Sequence, residues 1–195
     1  MSRPSITIAA AALAGLLAAS LPAAAKLCTV DAVPGATLLL PYFEVDLDDP
    51  NGLTTLLSVN NASATAVLTH ATVWSDLAVP VLSFNLYLTG YDVQTLNLRD
   101  LLVHGTLPQT ASAGQDPADA LSPKGVFSQD LNFASCGGRL PPAPMSADEL
   151  AHVRSALVGL PSPLDGHLCS GRSLGDHVAR GYVTVDTVNN CTLRQ

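Results

Sequence analysis

Cations and aromatic rings are both scarce in this chain. Nine Lys and Arg face sixteen Asp and Glu, a formal charge of −7. A protein that grips nucleic acid or an anionic membrane needs a basic footprint, which this balance does not supply. Aromatic residues make up 5% of the chain, with one tryptophan, so few rings are free for a stacking platform. No C-x-x-C pair and no H-E-x-x-H occurs, which removes the common zinc signatures. A glycine-rich phosphate loop is also missing. Beyond the first 25 residues no apolar run is long enough to span a bilayer.

The N-terminus has the layout of a signal peptide. Arg3 supplies the positive region, Ile6 to Ala19 the apolar run, and Pro22 with Ala23-Ala24-Ala25 a small-residue cleavage site. Cleavage after Ala25 is expected, giving an exported bacterial protein, secreted or periplasmic, with no membrane span in the mature chain. Loss of Arg3 leaves eight basic against sixteen acidic residues, or −8. Residues 26–195 are enough for one domain with its own core.

Four cysteines, Cys28, Cys136, Cys169 and Cys191, lie in the mature part. An even count in an exported chain reads as two disulfides, with three connectivities possible. The favoured pairs are Cys136–Cys169 and Cys28–Cys191. The first would close a Pro-rich loop of roughly 30 residues, worth roughly 3–4 kcal/mol, and the second would tie the first strand to the last.

From Ala36 to Leu102 the pattern is β. "ATLLLPYFEV" carries Pro41, which suits an edge or bent strand. "LTTLLSVNN", "AVLTHATVWSD", "VLSFNLYL" and "YDVQTLNL" follow, with turns between them. In "VLSFNLYL", Leu82, Phe84, Leu86 and Leu88 alternate with Ser83, Asn85 and Tyr87. "ARGYVTVDTV" alternates again near the end. Between them, residues 104–178 form a Pro- and Gly-rich excursion with one helix at 146–158. There Ser146 and Glu149 spell a capping box, and Leu150, Val153, Ala156 and Leu157 make one stripe. The expected fold is an all-β, immunoglobulin-like β-sandwich with an inserted loop and helix excursion. Six strands are one short of seven, so either "GVFSQDLNFAS" hides another or the chain is a truncated form of a longer one.

The phrases "TTLLSVNNASATAVLTHATVWSD", "LYLTGYDVQTLNLRDLL" and "ARGYVTVDTVNNC" resemble a group of uncharacterised exported bacterial proteins. The likeness covers most of the mature chain, and members of the group run beyond the point where this one stops. It implies export, a β-rich fold and a missing C-terminal strand. It carries over no activity and no functional residue.

Two stretches invite chemistry. Gly171-Arg172-Ser173-Leu174-Gly175 spells G-x-S-x-G, the nucleophile elbow of serine hydrolases. Its surroundings are loop-like, and Asp176 adjoins His177, the only later histidine. Neighbours in sequence cannot place an imidazole on the serine while the carboxylate holds its far nitrogen. A serine hydrolase is therefore a distant third reading, and the protein is read as no enzyme. The other stretch is "EVDLDDPNG". Glu44, Asp46, Asp48, Asp49 and Asn51 crowd oxygens as calcium requires. Their spacing misses the EF-hand, with Pro50 and Leu57 at ligand positions, so an acidic turn is favoured over a calcium site. His70 reads as a half-buried strand residue. Trp74 with Tyr42, Tyr87, Tyr91 and Tyr182 could stack on sugars, although a lone Trp in a sandwich usually lies in the core. Asn61 and Asn190 match glycosylation sequons, which carry no meaning in a bacterial protein.

The functional expectation is a non-catalytic exported module that binds or assembles with an envelope or surface protein through an exposed edge strand. The alternative is a calcium-assisted carbohydrate-binding domain, with a glycan as partner, centred on Glu44 to Asn51. Apart from that Ca2+, no cofactor is expected.

Overall fold

The computed structural model describes residues 34–110, 134–162, 164, 166 and 168–192. The expected leader 1–25, Cys28 and most of "GVFSQDLNFAS" lie outside them. Six strands follow the expected order: β1 Thr37–Asp46, β2 Leu56–Asn60, β3 Val67–Ser75, β4 Pro80–Leu88, β5 Val93–Asn97 and β6 Val178–Thr187. They form two antiparallel sheets, one of four strands in the order β1-β6-β3-β4 and one of two, β2-β5. The fold is therefore mostly β.

Alternation decides which face each strand buries. Leu82, Phe84, Leu86 and Leu88 enter the main core, as the sequence pattern requires, with Val183, Val185, Ala71 and Val73 beside them. Facing them are Val59 and Leu96 of the two-stranded sheet, and leucines and valines of two helices. Each large apolar side chain fully buried here contributes roughly 1.5–3 kcal/mol. Pro41 sits in an edge strand, and the β1–β6 register shifts between Leu40 and Phe43. Both halves of the edge-or-bent expectation are met, because a residue without an N–H is tolerated where the ladder is open or bulged.

The expected helix is present as α2 Ala147–Leu157. Ser146 and Glu149 exchange both capping-box hydrogen bonds, and Val153, Ala156 and Leu157 are buried. Gly159 ends it with φ 71°, in the left-handed region that glycine tolerates. A second, shorter helix, α1 Leu98–Leu102, stands where the sequence reads as the end of a β region. Asn97 starts it, its side chain accepting from the Arg99 backbone N–H. Tertiary burial of Leu98, Leu101 and Leu102 overrides the strand pattern.

The disulfide differs from both favoured pairings. Cys136 is bonded to Cys191, 55 positions away in sequence, so neither Cys136–Cys169 nor Cys28–Cys191 holds. Among the described residues Cys169 is an exposed thiol without a disulfide partner. The reason lies on the outer face of the large sheet. Leu68 and Tyr87 pair across β3 and β4 there, and Cys136, Leu140 and Cys191 bury them in a second small core. Tyr87 is thus a core residue and not an exposed ring. Shielding this face requires residues 134–140 and 188–192 to lie together, which the Cys136–Cys191 bond enforces. The Ser135 hydroxyl accepts the Cys191 N–H at 2.9 Å and fixes the same junction.

Candidate functional site

The five residues of the acidic loop do not converge on one point. Glu44 Oε1 accepts from the Tyr42 hydroxyl at 2.6 Å and from Arg180 Nε at 3.0 Å. Asp46 Oδ1 turns inward to accept the backbone N–H groups of Asp48 and Asp49, a turn-forming use of Asp. Those two N–H groups, Asp49 first, hold its carboxyl below the usual range. Asp49 Oδ1 accepts from the Asn51 N–H, and Asn51 is exposed at the tip. Asp48 Oδ2 lies 2.9 Å from His177 Nδ1, and Asp48 Oδ1 lies 3.8 Å from Arg154. Among the described residues no group of three His, Cys, Asp or Glu is gathered closely enough to hold a metal ion.

A cation is nevertheless built into this loop. Arg99, on α1 and only 8% exposed, donates through Nη1 to the Asp49 carbonyl and through Nη2 to those of Gly52 and Leu53 at 2.7 and 3.0 Å. The guanidinium satisfies three loop carbonyls at once. Such carbonyls would otherwise turn to water or a metal ion.

Beside the loop, Arg180 joins three elements. It pairs with Asp176 at 2.6 Å and with Glu44 at 3.0 Å. The Asp176 carboxyl is held down to about 2, chiefly by hydrogen bonds from Arg180. Glu44 is lowered by the Tyr42 hydroxyl and then by Arg180, and Tyr42 is raised by Glu44 in return. The native state therefore binds the Asp176 and Glu44 protons less readily than the unfolded chain. The stabilisation is complete above the ordinary Asp value of 3.8 and disappears as pH falls through about 2. Urea midpoints measured from pH 5 down to 2 should fall across that window. Arg180→Gln should flatten part of the fall. An unchanged slope in the variant would show that Arg180 does not set the Asp176 proton affinity.

Ser173 stands in a loop, with neither a strand immediately before it nor a helix after it. Both glycines of its motif have backbone reasons. A Cβ on Gly171 would lie 2.4 Å from the Ala156 carbonyl oxygen, and Gly175 has φ 74°. The loop packs so closely on the end of α2 that a Cβ on Gly159 would lie 2.3 Å from the Ser173 nitrogen. Glycine spacing here follows packing. His177 finds its carboxylate at Asp48, far away in sequence, and not at Asp176.

Trp74 is not in the core. It lies half-buried on the outer face of the large sheet, stacked on Tyr182 with ring centroids 5.8 Å apart, and its Nε1 donates to Thr184. Tyr42 reaches the same face through Glu44, whereas Tyr91 is exposed in the turn before β5. His70 is half-buried in β3 as expected, its Nδ1 3.1 Å from the Asn85 Oδ1. Asn61 is buried, and its side chain bonds Thr65, Thr89 and Ser63. Its amide is a structural clamp and is not presented as a glycan acceptor.

The opposite face of the large sheet is only partly covered. Four strands at about 4.8 Å spacing present more width than two can shield. Where the smaller sheet falls short, a groove of about 220 Å³ opens between Leu38, Val59, Val67, Leu88 and Val185. β2 borders this groove, and its residues Leu57, Val59 and Asn61 face Leu96, Gln94 and Asp92 of the β5 side. Asn61 N–H donates to the Asp92 carbonyl, and Leu98 N–H to that of Thr55. Antiparallel alternation therefore turns the N–H and C=O groups of Leu56, Ser58 and Asn60 outward. No described residue bonds them. The edge of β1 is less open: Asp46 N–H donates to Leu53, Glu44 N–H to Thr55 Oγ1, and Pro41 has no donor. Sequence patterning draws attention to β1. An open edge belongs to β2, whose flanks carry no unusual residue to mark it.

Among the described residues, no helix is long and apolar enough to cross a membrane. The disulfide is compatible with an extracellular or periplasmic setting. Comparison with protein-family models, with curated proteins and with solved structures yields no match.

Proposed function

We propose that the chain is a non-catalytic, exported binding and assembly module that takes an extended strand of a partner polypeptide along the free edge of β2. One observation carries this reading: the outward N–H and C=O groups of Leu56, Ser58 and Asn60 lie beside an apolar groove. A third strand at that edge would complete its hydrogen bonds, while alternate apolar side chains would enter the groove. The groove lining bears no charged residue, so the inward positions of the partner strand are apolar. The layout is then an immunoglobulin-like sandwich whose second sheet takes a strand in trans. The leader of residues 1–25 and the disulfide suit a partner in the bacterial envelope or at the cell surface.

The test is selection of displayed random decapeptides on the oxidised protein, followed by Ser58→Pro. Proline at this outward position removes one donor of the free edge and spares the bonds to β5. Binding of selected peptides should drop by about tenfold, while the melting temperature stays within about 3 °C. Peptides that bind the variant unchanged would sink the edge reading.

A second reading, the calcium-assisted carbohydrate-binding domain, is favoured by the gathering of Tyr42, Trp74 and Tyr182 on one face with Glu44. It requires saturating calcium to raise the melting temperature by on the order of 5–10 °C over EDTA. Because Arg99 already serves the loop carbonyls and Asp46 serves the turn, the expected shift is below about 1 °C.

A further inference from the structure

A second concavity, separate from the β2 groove, lies where the acidic loop, α2 and the entry to β6 meet. It measures about 340 Å³, within the range of small-ligand sites. Asp48, Arg154, Ser155 and His177 line it, with Leu47 and Leu160 among its apolar walls. His177 is held at two points: its Nδ1 is 2.9 Å from Asp48, and its backbone carbonyl accepts the Leu47 N–H at 3.2 Å. His177 also adopts φ 54°, in the left-handed region that is uncommon for a residue other than glycine. With Asp48 accepting at Nδ1, Nε2 remains for a ligand. Arg154 spends Nη2 on the Leu47 carbonyl and lies 3.8 Å from Asp48. Its Nε and Nη1 donors have no partner among the described residues.

We infer that this cavity binds a small organic monocarboxylate, with the carboxylate on Arg154 and the apolar body against Leu47 and Leu160. Charge selects the class. Arg154 is the fixed positive group of the lining and Asp48 its carboxylate, so the lining tolerates a ligand of no more than one negative charge. A dianion such as phosphate would meet the Asp48 carboxylate without compensation. With Nη2 taken, Arg154 keeps Nε–H and Nη1–H, and a carboxylate oxygen accepts a charge-assisted hydrogen bond from either. The apolar walls give the rest of the molecule a place out of water.

Benzoate is a suitable probe, titrated into the oxidised, exported protein while the Arg154 Nε–H and His177 ring resonances are followed by NMR. Both should shift saturably. Arg154→Gln should weaken binding by about tenfold or more. Ala151→Phe, at an exposed helix position on the cavity rim, should block binding without changing the fold, so the inference stays testable if the arginine variant is unstable. Inorganic phosphate should compete poorly. Absence of saturable shifts, equal affinity in Ala151→Phe, or phosphate binding as tightly as benzoate would each overturn it. None of these outcomes bears on the β2 edge, which lies on other elements.

Discussion

Arg99→Met should lower the stability of the protein by about 3–5 kcal/mol, read from urea midpoints at neutral pH. Methionine retains the buried stem but removes every donor. The carbonyls of Asp49, Gly52 and Leu53 then lose their shared partner, which is itself only 8% exposed. The loop between β1 and β2 should open, releasing the Asp46 turn as well. Domains of ordinary stability hold about 5–15 kcal/mol in total, so the variant should sit near the edge of unfolding. Arg99→Lys should recover only part of the loss, since an ammonium cannot span three acceptors as a planar fork does. A loss below about 1 kcal/mol for Arg99→Met would mean that water serves those carbonyls instead.

Removing the disulfide should cost a similar amount. The bond joins positions 55 apart, and chain entropy alone assigns a loop of that length about 4 kcal/mol. Cys136→Ser with Cys191→Ser should also uncover Leu68 and Tyr87, because the two covering segments lose their tie. Near-ultraviolet circular dichroism should report Tyr87 becoming mobile before the main core melts. Peptide mapping without reduction should recover residues 136 and 191 in one linked fragment. A Cys136–Cys169 fragment in its place would contradict the arrangement of the outer face.

The six strands were legible as apolar or β-enriched runs bounded by turns, with period-two alternation in "VLSFNLYL" and "ARGYVTVDTV". The capped helix was legible because Ser146, Glu149 and Gly159 are local signals. What depended on distance in sequence was not. Leu98–Leu102 reads as strand until Asn97 is recognised as a cap and the burial of its leucines is known. Spacing within the Pro-rich excursion suggested Cys136–Cys169, but the pairing is set by an exposed apolar patch at Leu68 and Tyr87 that only strand register creates. The acidic loop was located correctly as a cluster of charge. Its partners could not be read, since Arg99, Arg154 and the pair His177 and Arg180 arrive from three separate parts of the chain. Asp48 and His177 illustrate the limit: the fold supplies a carboxylate 129 positions earlier, which no local spacing marks.

The same limit applies to the proposed binding edge. Neither Leu56, Ser58 nor Asn60 is unusual in type, and only the count of two strands against four exposes them. Residue-resolved amide hydrogen exchange on the oxidised protein tests this most directly. Leu57, Val59 and Asn61, bonded toward β5, should exchange slowly, whereas Leu56, Ser58 and Asn60 should exchange near the rate of solvent-exposed amides. Slow exchange at all six positions, unchanged on dilution, would show that the chain already fills its own edge and would contradict strand uptake from a partner.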